Sequence, residues 1–196
     1  MTHIVSAIAD PDPRVSGQGF TALRAANIDV QVGSCAEQVR EQLHAYIHHR
    51  TTGRPFVVLK LAMTLDGRTA AADGSSQWIT GEQARIEAHR LRAESDVIVV
   101  GAQTVRSDDP SLTTRLVAGP SPRRIVLGSA PVDAKVQPCT EWTAGLPELL
   151  DLLGQENVLQ VMVEGGASVA ASFHRENLVD RYVLYVAPAF MGGDDG

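Results

Sequence analysis

The stretch 159–173, LQVMVEGGASVAASF, decides how the rest of the chain is read. Its apolar run up to Val163 suits a buried strand, Gly165 and Gly166 turn the chain, and a helix follows. A helix start offers N–H groups and the positive end of its dipole, a setting that favours an anion. Glu164, itself an anion, stands directly before the glycines. Two readings are open from this stretch alone. One is a tight turn that needs glycine. The other adds a phosphate seat made by the N–H groups of Gly166, Ala167 and Ser168, with the Ser168 hydroxyl as a further donor.

The same rhythm runs outward on both sides. FVVLKLA (56–62), DVIVV (96–100), RRIVLG (123–128), VLQVMV (158–163) and DRYVLYVAP (180–188) read as strands. ITGEQARIEAHRLRAES (79–95), LPELLDLLG (146–154) and ASVAASFHREN (167–177) read as helices between them. Thr80 and Gln83 suggest a capping box, and Ala84, Ala88 and Leu91 a narrow inner face. Asp66-Gly67 and Asp73-Gly74 are turn dipeptides, so Arg68 to Ala72 is expected to be a short strand between them. Alternating strands and helices predict an α/β fold with a mixed, mostly parallel sheet and flanking helices. Before TTGRP (51–55), where a boundary is expected, lie a strand at 3–9, a helix at 18–28, a strand at 29–33 and one helix over 35–50. The ending MGGDDG is turn chemistry, so the sheet is expected to stop short of further strands.

The bulk numbers narrow the function classes. The 196 residues are 44% hydrophobic and 20% charged, an ordinary globular composition. A net charge of −6 and a pI near 5.5 argue against a general nucleic-acid surface but leave room for a local basic pocket. Cys35 and Cys139 alone cannot build a cysteine zinc site, and they suit a reducing compartment. No signal peptide is evident, and no apolar run approaches the roughly 18 residues of a membrane span, so a cytoplasmic location is expected.

Three motifs carry little. Gly17, Gly19 and Ala22 match G-x-G-x-x-A, but DPDPRVS separates them from the preceding strand. His44, His48 and His49 share a helix, yet Ala45 stands where H-E-x-x-H needs glutamate, so solvated histidines are expected. PCTEW (138–142) has Trp142 where a second cysteine would complete a zinc motif, so no metal is expected.

Two stretches carry more. In KLAMTLDGRTAAADGSSQWIT (60–80), Lys60 lies inside an apolar strand and must reach an anion or the open end of the sheet. Ser76, Gln77 and Trp78 gather polar groups and an aromatic before a helix. GAQTVRSDDPSLTTR (101–115) reads as a loop after a strand's carboxyl end, where α/β sheets bind ligands. It offers Thr104, Asp108, Ser111 and Arg115. Arg92 and Arg115 would supply cations for a phosphate.

In order, KLAMTLDGRTAAADGSSQWIT, LRAESDVIVVGAQTVRSDDPSLTTR, VEGGASVAASF and LVDRYVLYVAPAFMGGDDG resemble the RibD C-terminal reductase family over residues 54–196. The resemblance implies a dihydrofolate-reductase-like fold, NADPH as cofactor, and reduction of the ribose of 5-amino-6-(5-phosphoribosylamino)uracil to a ribityl chain. Residues 1–53 are similar to the tail of the deaminase domain that precedes the reductase in bifunctional members. Their zinc motifs are missing here, so no deaminase activity is expected. Paired reductase domains, a homodimer, are also implied.

The resemblance further implies roles. Ala62 and Trp78 match positions near the nicotinamide, Thr104 and Asp108 other cofactor contacts, and Ser129 the adenosine end. Gly166, Ala167, Ser168, Val169, Ala170, Ala171 and Ser172 match the turn and helix start that hold the cofactor phosphates. Ser76, Arg92, Leu112, Arg115 and Glu164 match substrate contacts. Glu164 would stabilise a cationic imine, with Lys60 or Asp108 placing the ribose hydroxyls. The alternatives are a non-catalytic fragment or NADPH-binding module, and a pterin reductase of the same fold.

Overall fold

The computed structural model describes residues 2–70 and 79–192. Ser76, Trp78 and the Asp73-Gly74 turn lie outside them. The chain divides into two compact units, one of residues 1–56 with 153–159, the other of 57–152 with 160–196.

The first unit holds β1 (His3–Ser6), α1 (Gln18–Ala25), β2 (Asp29–Val32), α2 (Ala36–Gln42) and α3 (His44–Thr52). β1 and β2 pair in parallel, from His3 opposite Asp29 to Ser6 opposite Val32. The single helix expected over 35–50 is two, broken at Leu43. The expected solvated histidines are packed instead. His44 and His48 meet the Phe56 ring edge-on, and His49 is buried, with Nε2 3.0 Å from the Gly154 carbonyl oxygen. A Cβ on Gly154 would stand 1.9 Å from the Gly53 carbonyl oxygen. That close approach is why residues 153–159 join this unit, although they lie far along the chain.

The second unit is built on β3 (Phe56–Thr64), α4 (Glu82–Glu94), β4 (Val97–Gly101), α5 (Ala102–Asp108), β5 (Arg123–Leu127), β6 (Thr140–Trp142), α6 (Leu146–Gln155), β7 (Gln160–Val163), α7 (Ala167–Arg175) and β8 (Arg181–Ala187). Six strands form one sheet in the order β6-β5-β4-β7-β3-β8. The neighbours β3–β8, β4–β5, β4–β7 and β5–β6 all run parallel, and a single antiparallel bridge joins Gly128 to Trp142. The α/β expectation holds, with the sheet more uniformly parallel than the word mixed implied. Every residue of β4 and β7 is buried, as continuous apolar runs in a helix-covered parallel sheet require.

Several local expectations give way to packing. The segment read as a loop at 101–115 opens with helix α5, whose Ala102 and Val105 are buried in the cluster of Ile98, Val100, Val126 and Met162. Those contacts outweigh the weak helix propensity of its Thr, Ser and Asp. The capping box at Thr80 is absent: the N-cap of α4 is Gly81, without a side-chain cap, which moves Thr80 one place outside the helix. Arg68 to Ala70 form no strand: in a tight turn the Arg68 N–H donates to Thr64 Oγ1, and the Arg68 carbonyl oxygen accepts from the Thr64 N–H and hydroxyl. The short strand β6 had no sequence signal beyond three residues.

Close packing sets where α7 begins. A Cβ on Gly101 would lie 2.8 Å from Val169 Cγ2, and one on Gly165 2.9 Å from Val169 Cβ. Val169 thus rests on two bare backbones, one at the end of β4 and one after β7. Gly101→Ala is expected to cost roughly 1–3 kcal/mol by overpacking, read as a lower urea midpoint. Adding Val169→Ala should recover most of that loss. An unchanged midpoint in the single variant would contradict the contact.

Candidate active site at the strand tips

The second half of β3, helices α4 and α5 and the turn after β7 line one cleft of about 440 Å³. Its wall includes Lys60 and Ala62 from β3, Arg85, His89 and Arg92 from α4, Thr104 and Asp108 from α5, Leu112 and Arg115, and Glu164 to Gly166. Lys60, Arg85, Arg92 and Arg115 face Glu82, Asp108 and Glu164, so the described wall carries an excess of positive charge although the chain is at −6. Such a cleft attracts anions where the protein as a whole repels them.

Glu164 is the hub. Arg92 donates from Nε to Oε2 and from Nη2 to Oε1, both at 2.9 Å. Lys60 Nζ donates to Oε1 at 3.2 Å. The three side chains are only 11–17% exposed. Burial pushes the Glu164 carboxyl up, but the Lys60 and Arg92 charges overcome it and hold the group below the usual carboxylate range. Glu164 is therefore an anion, not an acid, at neutral pH. Lys60 has the anion its strand position demanded, and its Nζ also lies 5.8 Å from the centre of the Tyr185 ring. Arg92 lines the cleft and holds Glu164 at the same time. Its Nε and Nη2 are engaged by Glu164, and Nη1 donates to the Thr113 carbonyl oxygen at 3.3 Å.

The turn beside Glu164 opens on the helix start. Gly166 is the N-cap of α7, and no side chain caps it. Gly166 N–H donates to Thr104 Oγ1 at 3.3 Å, which ties α5 to the turn. The N–H groups of the next residues head a helix of nine residues, where an anion gains from dipole and donors together. Ala167 and Ser168 are exposed there, Val169 packs on the glycines, Ala170 is buried, and Ser172 Oγ donates back to the Ser168 carbonyl oxygen at 3.1 Å. Ala171 is exposed one turn further in. Ser129 is exposed beyond the cleft wall, its carbonyl oxygen accepting from Arg106. Thus Lys60, Ala62, Arg92, Thr104, Asp108, Leu112, Arg115, Glu164 and Gly166 share one wall.

The chain belongs to the RibD C-terminal domain family. The family model for that domain matches residues 55–196. The RibD protein of Mycobacterium tuberculosis is 41% identical over 97% of this chain and 59% of its own length. The solved structure of Acinetobacter baumannii RibD superposes with a TM-score of 0.89 at 32% identity, over 98% of this chain and 62% of that one. A Thermotoga maritima structure, described as a diaminohydroxyphosphoribosylaminopyrimidine deaminase/5-amino-6-(5-phosphoribosylamino)uracil reductase, gives 0.87 at 30% identity, over 98% and 61%. The chain spans about 60% of the length of each of these RibD relatives. Its sheet and flanking helices are those of the dihydrofolate-reductase-like fold of the family. No described helix is long and apolar enough to cross a membrane, and no described His, Cys, Asp or Glu cluster could hold a metal ion.

His89 and Arg85 were not read from the sequence; their place on the α4 stripe with Arg92, at spacings of four and seven, was the available signal. His89 is 4% exposed. Burial, then the Arg92 and Arg115 charges, push its imidazole down from 6.5 to about 4. The unfolded ring takes up a proton near its ordinary value and the folded ring only near pH 4, so the unfolded state binds more protons between the two. Stability is therefore expected to fall as pH drops from 6.5 toward 4, and His89→Asn should flatten that slope in urea melts across pH. An equally steep slope in the variant would count against it. Glu164 adds a separate loss at lower pH, as its depressed carboxyl finally protonates.

Proposed function

We propose that this chain carries an NADPH-dependent reductase that converts the ribose of 5-amino-6-(5-phosphoribosylamino)uracil to a ribityl chain. One observation carries the reading: a carboxylate held ionised by two cations stands next to an uncapped helix start, on one cleft wall. The family match and the described activity of the Thermotoga relative support it. Residues 1–53 are read as the tail of a deaminase domain and 54–196 as the reductase.

The residues fit a dinucleotide. The Gly165-Gly166 turn brings bare backbone to the cleft, and the N–H groups from Gly166 to Ser168 suit a diphosphate. When bound, a reduced nicotinamide supplies hydride. Ala62 is small enough to leave room for its ring beside Lys60, and Thr104 and Asp108 edge the same space. In the substrate, the ring oxygen takes one proton and leaves C1′, while the amine nitrogen's lone pair forms the C=N bond. Hydride addition at C1′ then returns that pair to nitrogen, giving the secondary amine. The cation exists only between these steps, and an anion fixed in advance beside it lowers the barrier. Glu164 has that place. Lys60 and Arg92 keep it ionised and aimed. Arg115 reaches the sugar phosphate, with Leu112 beneath it, and Asp108 orients ribose hydroxyls.

Glu164→Gln is expected to lower kcat by roughly 10²-fold or more, while NADPH affinity changes little. Circular dichroism would confirm folding, since the change leaves Lys60 and Arg92 without their anion. An unchanged kcat overturns the electrostatic role. Spectrophotometric NADPH oxidation should occur with the phosphoribosylaminouracil and not with dihydrofolate. NADPH binding without turnover would favour a binding module, and turnover of the pterin would favour the other reductase. NADH run in parallel tests the preference for the phosphorylated cofactor. The reading includes a cytoplasmic homodimer. Tyr182, Leu184 and Val186 on edge strand β8 are each nearly half exposed, an apolar face that a second copy could cover. Sedimentation equilibrium tests it.

A further inference from the structure

The segment after α5 is bent against its own preferences. Asp109 and Leu112 both adopt left-handed backbone, at φ 42° and 52°. For a branched residue such as Leu112 this is unfavourable and persists only where the surroundings enforce it. Part of the enforcement is apolar, since Leu112 is 2% exposed in the core cluster. Part comes from α4, one turn of which holds two points of the segment. Arg92 Nη1 donates to the Thr113 carbonyl oxygen, and His89 Nδ1 accepts the Arg115 backbone N–H at 3.1 Å. Accepting at Nδ1 leaves the neutral ring with its proton on Nε2. A second charge there would face Arg92 and Arg115, so this acceptor requires the unprotonated ring.

We propose that His89 is a positioning residue for the anionic end of the substrate: its Nδ1 holds the Arg115 backbone, and with it the Leu112–Arg115 segment, at the height over the cleft from which Arg115 meets a phosphate. The inference rests on reading Arg115 as the sugar-phosphate ligand. Arg115 is exposed, and Ser111 Oγ already accepts from its Nη1 at 2.8 Å, so the guanidinium is placed from the segment that His89 fixes.

Two amide variants separate the ring nitrogens. The asparagine side-chain oxygen sits where Nδ1 sits, while that of glutamine sits near Nε2. His89→Asn therefore keeps the acceptor and His89→Gln loses it. Three quantities are read on each variant and on His89→Ala: exchange of the Arg115 amide proton without ligand, the dissociation constant for ribose 5-phosphate, and the KM and kcat of turnover. In Gln and Ala variants we expect Arg115 amide exchange to speed up, and KM and the dissociation constant to rise, each about tenfold, the scale of one lost hydrogen bond. kcat should change much less, and Asn should restore all of them to near wild type. Asn behaving like Ala, or Gln behaving like wild type, overturns the proposal. A wild-type chain that neither binds ribose 5-phosphate nor turns over sinks the reductase reading. The amide exchange then still decides whether His89 anchors the segment: unchanged exchange in Gln and Ala overturns that too.

Discussion

Glu164 cannot be moved without undoing three elements at once. It follows β7 directly, its partners are Lys60 from the middle of β3 and Arg92 from the last turn of α4, and all three side chains are largely withdrawn from water. Buried ion pairs recover their desolvation cost only with good geometry, and apolar substitutes of similar volume are often as stable or more so. Stability alone therefore gives no reason to place this cluster at the strand tips. What it provides is a fixed charge at a fixed point, the property on which the proposed stabilisation of a cationic intermediate rests. With two cations against one anion, the cluster also leaves positive potential in the cleft.

The second constraint is the close approach of α7 to the sheet. Val169 packs where Gly101 and Gly165 have no Cβ, so the helix start can sit directly over the ends of β4 and β7. Thr104 then bridges α5 to the Gly166 N–H. Glu164 and the start of α7 are adjacent in the chain but face different ways. The Glu164 side chain turns toward β3 and α4, where its charge is neutralised, while the N–H groups head the helix beyond the turn. Neighbouring residues present opposite electrostatics in different directions.

Much of the fold was legible because it follows period and punctuation. Continuous apolar runs marked β3, β4, β5 and β7, and glycines marked where they end. Elements whose stability comes from distant contacts were not legible. α5 is polar by composition and is a helix because Ala102 and Val105 reach the core. The burial of His49 depends on a partner elsewhere in the first unit, the Gly154 carbonyl oxygen. The site followed the same division: the residue types at the strand ends were readable, but the use each was put to was not.

By itself, the sequence determined a strand-helix alternation, a glycine turn at Gly165-Gly166 before a helix, and a lysine inside an apolar strand that had to reach an anion or the open end of the sheet. Only the tertiary structure decided between these and gave Lys60 its partner, Glu164. Setting β7 beside β3 and packing α4 across them brought Glu164 to Lys60 and Arg92, and gave the His89 ring the Arg115 backbone N–H to accept. The physical reason is range. Backbone periodicity and turn chemistry act between near neighbours in the chain, whereas ion pairing acts through space over a few ångströms, and which charges come that close is fixed by the order of strands in the sheet.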